Sequence, residues 1–417
     1  MIILSILWNL LFIILIPISI PIAIYYFWYR TAELGERLGL IKADISENDS
    51  VTWFHVASIG EANSLSYFLN LYTLNFKNEK IILTSMTETG VFALKKLFPD
   101  CTVFFFPLPF YFPINSYFRK IKPDRIFLIE GELWLDMLLI AKIKKIPVIM
   151  LNAQISEKTL AKYTKLKILS KATFHNINHY FAISKNEKDK LISIGVDNSK
   201  IDIVGTTKAD VMSKPKEDMS FYKDEGKLII ALGSVRPEEE EVFMRIIKKV
   251  FENINHIRCV WIPRYPDKID KLTKILLNNG LKISLFSGNK KQKEEILIVD
   301  AFGKLMDFYA ISDITFVGGT FSTGGHNILE PASLSKPVIV GPVINKIRSI
   351  AEVMQEKEGI IISKDEIDAS NNILVLINSP EKRKKMGENA FKCFSEIRGA
   401  SEKTIDLIKK SRMNKED

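Results

Sequence analysis

The sequence predicts an α/β protein of two parallel-sheet lobes carried behind one N-terminal apolar helix. Three observations predict it. Short apolar runs alternate with longer amphipathic stretches from about Val51 onward, the pattern of successive βαβ units. A polar stretch over residues 212–226 interrupts the alternation, which then restarts. Ahead of both, no charged residue occurs between Met1 and Tyr29.

The N-terminal segment is nearly all Ile, Leu, Phe and Trp from Ile2 to Ile24, long enough for a hydrocarbon core that needs about 20 residues. Pro17 and Pro21 are tolerated in such a helix. Tyr25, Tyr26, Phe27, Trp28 and Tyr29 follow as an aromatic belt, then Arg30 and Arg37, which predicts a cytoplasmic body behind a span with its N-terminus outward. The basic leader and small-residue cleavage site of a signal peptide are not found, so the segment is expected to stay as an anchor over residues 1–29.

In the first lobe, residues 30–211, strands are expected at Val51–Ala57, Lys80–Thr84, Cys101–Phe106, Arg125–Ile129, Pro147–Leu151 and Ile201–Val204. Residues 212–226 have the composition of a linker. In the second lobe, residues 227–417, strands are expected at Lys227–Leu232, Arg258–Ile262, Ile296–Val299, Ile314–Val317 and Pro337–Val340, with a helix over Glu238–Phe251. The last helix is a candidate to pack back on the first lobe. Two such lobes place a cleft between them, and ligands of open α/β sheets bind beyond the carboxyl ends of the strands.

Lys and Arg number 58 against 49 Asp and Glu, a net charge of +9, which points to an anionic partner. Between Ile140 and Lys171 eight lysines face one acid, Glu157, with apolar residues interleaved. A basic amphipathic helix of this kind near an anchor suits an anionic membrane surface. Nucleic acid is not expected, since helix-turn-helix, RNA-recognition and zinc-finger signatures are missing. Cys101, Cys259 and Cys393 are far apart, and the five histidines form no H-E-x-x-H pattern, so neither a disulfide framework nor a metal site is expected.

The strongest chemical signal is Phe316-Val-Gly-Gly-Thr-Phe-Ser-Thr-Gly-Gly-His-Asn-Ile-Leu-Glu-Pro331. A strand runs into two glycine pairs, Gly318–Gly319 and Gly324–Gly325, and then a helix start. Glycines let backbone N–H groups approach an anion, and a helix N-terminus favours a phosphate. Glu330 lies one turn on, placed to accept both hydroxyls of a ribose. Ser234 and Arg236 follow a strand in Gly233-Ser-Val-Arg-Pro, where Ser234 suits a cap and Arg236 a phosphate. The four acids Glu238–Glu241 are accounted for by the first turn of the helix they open. Arg264 follows another strand at the same edge.

In the first lobe Ser58-Ile-Gly60-Glu61 carries a carboxylate at a strand-to-helix junction, a candidate base for an acceptor hydroxyl within ~3 Å. Thr87 and Thr89 belong to a second such turn, Thr84–Gly90. Glu130 and Glu132 follow a third strand, and two acids there exceed what capping needs. Lys208 sits in Gly205-Thr-Thr-Lys-Ala-Asp210 near the hinge.

Taken in order from Gly35-Glu-Arg-Leu-Gly39 to Glu330-Pro331, these segments resemble the 3-deoxy-D-manno-octulosonic acid (Kdo) transferases of lipopolysaccharide synthesis. The resemblance implies a GT-B enzyme of two Rossmann-like lobes, inverting and metal-independent, that moves Kdo from CMP-Kdo to a lipid A precursor at the bacterial inner membrane. No cofactor is implied beyond the donor. Glu61 matches the family's proposed general base, and Glu130 and Lys208 match positions that stabilise the transition state. Ser58, Gly60, Thr87, Thr89 and Glu132 fall on the acceptor side. Pro263 and Arg264, Phe302-Gly303-Lys304, and Asn327, Ile328, Leu329 and Glu330 fall where the family binds CMP. Gln154 stands where the family usually has Arg, and Val235, Arg236, Tyr265 and Ala301 also depart from its pattern. A different GT-B enzyme using a UDP-sugar, as transferase or epimerase, and a non-catalytic membrane-tethered nucleotide or lipid binder are the competing readings.

Overall fold

The structure is a computed structural model that describes residues 1–10, 31–288 and 294–416. The chain divides into two compact units, residues 1–211 with 397–417, and residues 212–396.

The first unit is built on seven parallel strands: β1 (Ser50–Val56), β2 (Glu79–Ser85), β3 (Thr102–Phe105), β4 (Arg125–Ile129), β5 (Val148–Ala153), β6 (His179–Ala182) and β7 (Ile201–Ile203), in the order β3-β2-β1-β4-β5-β6-β7. Strands of a sheet covered on both faces are apolar on both sides, and β1 shows it. Val51 and Trp53 enter one core, and Phe54 and Val56 enter the other. The helix Ala400–Glu416 supplies Ala400, Ile405 and Ile408 to the second of these cores. Asp210 fixes its start, accepting from Gly399 N at 2.7 Å and Ser401 N at 2.8 Å.

The second unit repeats the plan with β8 (Leu228–Val235), β9 (Ile257–Pro263), β10 (Ile283–Leu285), β11 (Ile296–Ile298), β12 (Ile314–Val317), β13 (Val338–Val340) and β14 (Ile360–Ile362), in the order β10-β11-β9-β8-β12-β13-β14. In each unit the first strand lies between its sequence neighbour and a strand reached by crossing over: β1 between β2 and β4, and β8 between β9 and β12. Chain connections leave these two positions in opposite directions, which opens a crevice at the strand ends where a ligand fits.

Residues 212–226, expected as a linker, are held on the second unit. Met219 and Tyr222 are buried in its core, Asp307 Oδ1 accepts from Lys216 N at 2.6 Å, and the buried Arg258 donates to Tyr222 O at 3.0 Å. Two apolar anchors spaced three apart outweigh the polar residues around them. The lysine-rich region is likewise not one helix. β5 divides it, and helices Glu157–Lys165 and Lys167–Ala172 follow separately. Its lysines are all exposed, along with Ile143, Leu166 and Ile168.

Most of the expected anchor, from residue 11 to residue 29, lies outside the described residues. Residues 2–10 are helical and attached to the first unit. Ser5 Oγ donates to Asp136 Oδ1, Asn9 Nδ2 donates to Asp136 Oδ2 at 3.0 Å, and Trp8 Nε1 donates to Pro109 O at 2.7 Å. Ser5 and Asn9 are one helical turn apart, so both reach one carboxylate, while Ile2, Ile3, Ile6, Leu7 and Leu10 stay exposed. Among the described residues no helix is long and apolar enough to cross a membrane.

Candidate active site

The carboxyl ends of β1 and β4 bring three acids and a lysine together. β1 leads through Ser58 into helix Ile59–Asn75, with Glu61 in the first turn. Glu61 Oε2 accepts the Ala57 N–H at 2.7 Å. Burial, and then the charge of Glu130, push the Glu61 carboxyl up to about 8; Glu132 adds to the shift and Lys208 opposes it. Glu132 is also raised, by burial first and then by Glu130. Like charges sharing a half-buried site cannot all ionise cheaply.

Glu130 directly follows β4 at φ +64°, a backbone state uncommon for residues other than glycine. The turn aims its carboxylate at two donors: Lys208 Nζ contacts Oε1, and Gln154 Nε2 donates to Oε2 at 2.8 Å. Gln154, the departure from Arg, therefore keeps a donor on Glu130 but brings no charge. Lys208 is positioned from β5. Asn152, at φ +51° where the β5–β6 register shifts, donates to Thr207 Oγ1 at 2.7 Å and accepts from Thr207 N at 2.9 Å. The sequence alone does not single out Asn152, and its role needed the fold.

The remaining acceptor-side candidates border this group unevenly. Thr87 caps helix Glu88–Leu97, accepting from Gly90 N at 3.1 Å and donating to Ala57 O at 3.4 Å. Ser58 is half-buried, Gly60 is exposed, and Thr89 is exposed and donates to Thr87 Oγ1 at 3.4 Å.

In the second unit the ends of β8 and β12 carry the other charge set. β8 bulges at Ser234, φ +56°: Gly233 pairs with Ile262 and Val235 with Pro263, leaving Ser234 without a partner position across the ladder, and Arg236 begins the turn that follows. Its guanidinium lies over the Tyr265 ring at 5.8 Å and pairs with Glu238 at 3.3 Å. Arg264 N donates to Val235 O at 2.7 Å. Burial raises Glu330 to about 7, with the nearby Arg264 charge and an Asn327 contact pulling the other way. Burial lowers His326 to about 4, and Arg264, Arg236 and Lys346 add to that. Arg236, Arg264, His326, Asn327 and Glu330 thus form one neighbourhood. Lys346 also belongs to it, and the sequence alone singles out neither Lys346 nor His326 as a site residue.

The glycine pairs act differently from the expectation. Their N–H groups are bonded within the chain. Gly318 N donates to Gly233 O at 2.8 Å, Gly319 N to Glu239 Oε2 at 2.7 Å, and Gly324 N and Gly325 N to Gly319 O at 2.9 and 2.8 Å. The glycines are required by close approach instead. A Cβ on Gly318 would stand 2.6 Å from Ser234 O, and Gly319, Gly324 and Gly325 have φ of +77°, +102° and +97°. Ile328 and Leu329 are buried, so their side chains face the core and not a ligand. Glu330 stands in a helix of four residues, Leu329–Ala332. Pro263 ends β9 and is buried. Phe302 is exposed, Gly303 has open space around it, and Lys304 pairs with Glu217 near the Phe286 ring. Among the described residues no group of three or more His, Cys, Asp or Glu is disposed to hold a metal ion.

Comparison with known proteins gives a consistent set of likenesses. Residues 32–211 match the family model described as 3-deoxy-D-manno-octulosonic-acid transferase (kdotransferase), and residues 281–393 match that of glycosyl transferases group 1. A 3-deoxy-D-manno-octulosonic acid transferase of Chlamydia trachomatis serovar A is 31% identical over 79% of this chain and 79% of its own. The transferase of the same name from Haemophilus influenzae is 25% identical over 90% of each. Among solved structures, a putative UDP-N-acetylglucosamine 2-epimerase from Listeria monocytogenes is similar in fold, with a TM-score of 0.61 at 13% identity over 88% of this chain and 97% of that one.

Proposed function

From the premise that this chain belongs to the 3-deoxy-D-manno-octulosonic acid transferase family, and is a glycosyltransferase, we propose that it moves Kdo from CMP-Kdo to a hydroxyl of a lipid A precursor, with inversion and without a metal. The observation that carries this reading is the Glu61 carboxyl, raised to about 8 and surrounded by Glu130, Glu132 and Lys208 at the strand-order switch of the first sheet. A base whose pKa lies near the operating pH is the most effective proton acceptor.

In the proposed step the acceptor oxygen attacks the anomeric carbon, its proton passes to Glu61, and the bond from that carbon to the CMP phosphate breaks. The electron pair leaves with the phosphate. Arg236 and Arg264 in the second unit meet the growing negative charge, and Glu330 takes the ribose hydroxyls. Lys208 neutralises Glu130, so that loss of a proton from Glu61 is not opposed by two full charges.

The acceptor is a lipid and the site is assigned to the cytoplasmic face of an inner membrane. The apolar segment over residues 2–24 and the exposed lysines between 142 and 171 support that assignment. Incubating detergent-solubilised protein with CMP-Kdo and a lipid A precursor, followed by mass spectrometry, tests the reading directly. A gain of one or more Kdo masses is expected with CMP-Kdo and not with UDP-sugars. An unchanged acceptor mass, or transfer from a UDP-sugar, removes the proposal.

A further inference from the structure

We propose that Glu239 is a positioning residue for the donor site: a carboxylate of the chain itself fills the anion-binding turn after β12 and sets the distance from that turn to the Arg236 loop. The inference rests on the donor reading of the second unit given above.

Glu239 is 0% exposed, although it stands among four consecutive acids at the start of a surface helix. Its two oxygens are divided among three backbone donors. Oε2 accepts from Gly319 N at 2.7 Å and from Arg236 N at 3.3 Å, and Oε1 accepts from Phe321 N at 2.6 Å. N–H groups converging from a glycine turn attract an anion, and bonds to an ionised acceptor are about twice as strong as neutral ones. Here the anion is internal. The turn is therefore closed to a ligand phosphate, and the charge of the donor is left to the arginine side chains.

The same carboxylate joins the two loops that leave the strand-order switch, one after β8 and one after β12. Contact there is already tight, since Gly318 passes so near Ser234 O that a Cβ has no room. Arg236 takes its place from a backbone whose N–H is bonded to Glu239. Releasing Glu239 frees both loops at once, while the residues that touch the reacting atoms stay chemically intact.

The test uses the full-length protein in detergent, with Glu239→Gln and Glu239→Ala compared with the parent for CMP affinity by calorimetry, KM for CMP-Kdo, kcat and melting temperature. Glutamine keeps the shape but sets an NH2 against a backbone donor, so one bond is lost. CMP affinity is expected to fall about tenfold in Glu239→Gln, the size of one charge-assisted hydrogen bond, and further in Glu239→Ala. KM should rise in parallel while kcat stays within about threefold. Formate should restore part of the affinity of Glu239→Ala by occupying the vacated turn, which a purely structural defect would not permit. Unchanged CMP affinity and KM in a folded Glu239→Gln overturn the inference, whether or not the alanine variant folds. Failure of the parent itself to bind CMP counts against the donor reading instead, so the two failures are distinguishable.

Discussion

Glu61 Oε2 holds the N–H of Ala57 at 2.7 Å, and Thr87 Oγ1 reaches the carbonyl of the same residue at 3.4 Å. One peptide segment at the end of β1 thus fixes both the proposed base and the loop after β2. Glutamine can still accept from Ala57 N, so Glu61→Gln should fold normally. It should lose about 10²–10⁴-fold in turnover, the usual share of a general base, and keep its affinity for CMP. Single-turnover transfer and calorimetry measure the two quantities. Substantial residual turnover would remove Glu61 from the mechanism.

The pH profile should carry the same residue. With Glu61 raised to about 8, kcat/KM is expected to increase about tenfold per pH unit through neutrality and level off near pH 8. Stability should move oppositely. A carboxyl raised from 4.5 to about 8 binds its proton more tightly in the folded state, so its contribution is full below pH 4.5 and lost as pH rises through 8. Glu61→Gln should therefore match the parent at pH 4 and exceed it at pH 9 by about 1–2 kcal/mol, a figure reduced for partial exposure. Thermal melts at both pH values check this.

Two substitutions should shift that profile in opposite directions. Lys208 lowers the Glu61 value, so Lys208→Met should move the rise in kcat/KM to higher pH and reduce kcat. Gln154 already donates to Glu130 at 2.8 Å. Gln154→Arg adds a positive charge there, weakens the repulsion between Glu130 and Glu61, and should move the rise to lower pH. Parallel pH titrations of the two variants decide the point, and shifts in the same direction would contradict the electrostatic account.

Gly205 offers a packing test. It has φ +98°, and a Cβ there would lie 2.1 Å from the backbone oxygen of Ile397. Neither backbone can yield easily, because Thr206 N also donates to Ile397 O at 3.1 Å. Gly205→Ala should lose about 2–4 kcal/mol, combining strained backbone with steric overlap. Limited proteolysis should then cut first ahead of the helix Ala400–Glu416.

The sequence was legible where residues report on themselves. Strands such as β1, β4 and β12 are four to seven residues long and mostly apolar, and they were located within about a residue. β6, β10 and β14 were missed. They have four, three and three residues, too few to display any period; β7, β11 and β13 are as short, so strands of this length are defined by their partners more than by their own sequence. The site divides in the same way. Glu61, Glu130, Glu132 and Lys208 stand out in the sequence as charged residues shortly after apolar strands, and the fold brings them near one another. Glu239 does not stand out, because Glu238 to Glu241 look alike along the chain. Glu239 and Glu240 both turn inward, and what singles out Glu239 is its bonds to Gly319 N and Phe321 N, which are distant in the chain. The internal partners of the glycine turn, Gly233 O and Glu239 Oε2, are likewise visible only in the fold.

Asp136 has a consequence for any attempt to make this protein easier to handle. Its buried carboxylate is held by Ser5 and Asn9, and burial raises its pKa while those two bonds oppose the rise. Trimming the chain to residue 31 would therefore strip an acid of its hydrogen-bond donors and open a seat on helix Leu135–Lys144, whose preceding loop carries Glu130 and Glu132. Residues 2–10 are thus a fitted part of the first unit. A shortened form that retains residues 1–10, or that carries a neutral residue at 136, is the one whose behaviour would still represent the whole enzyme.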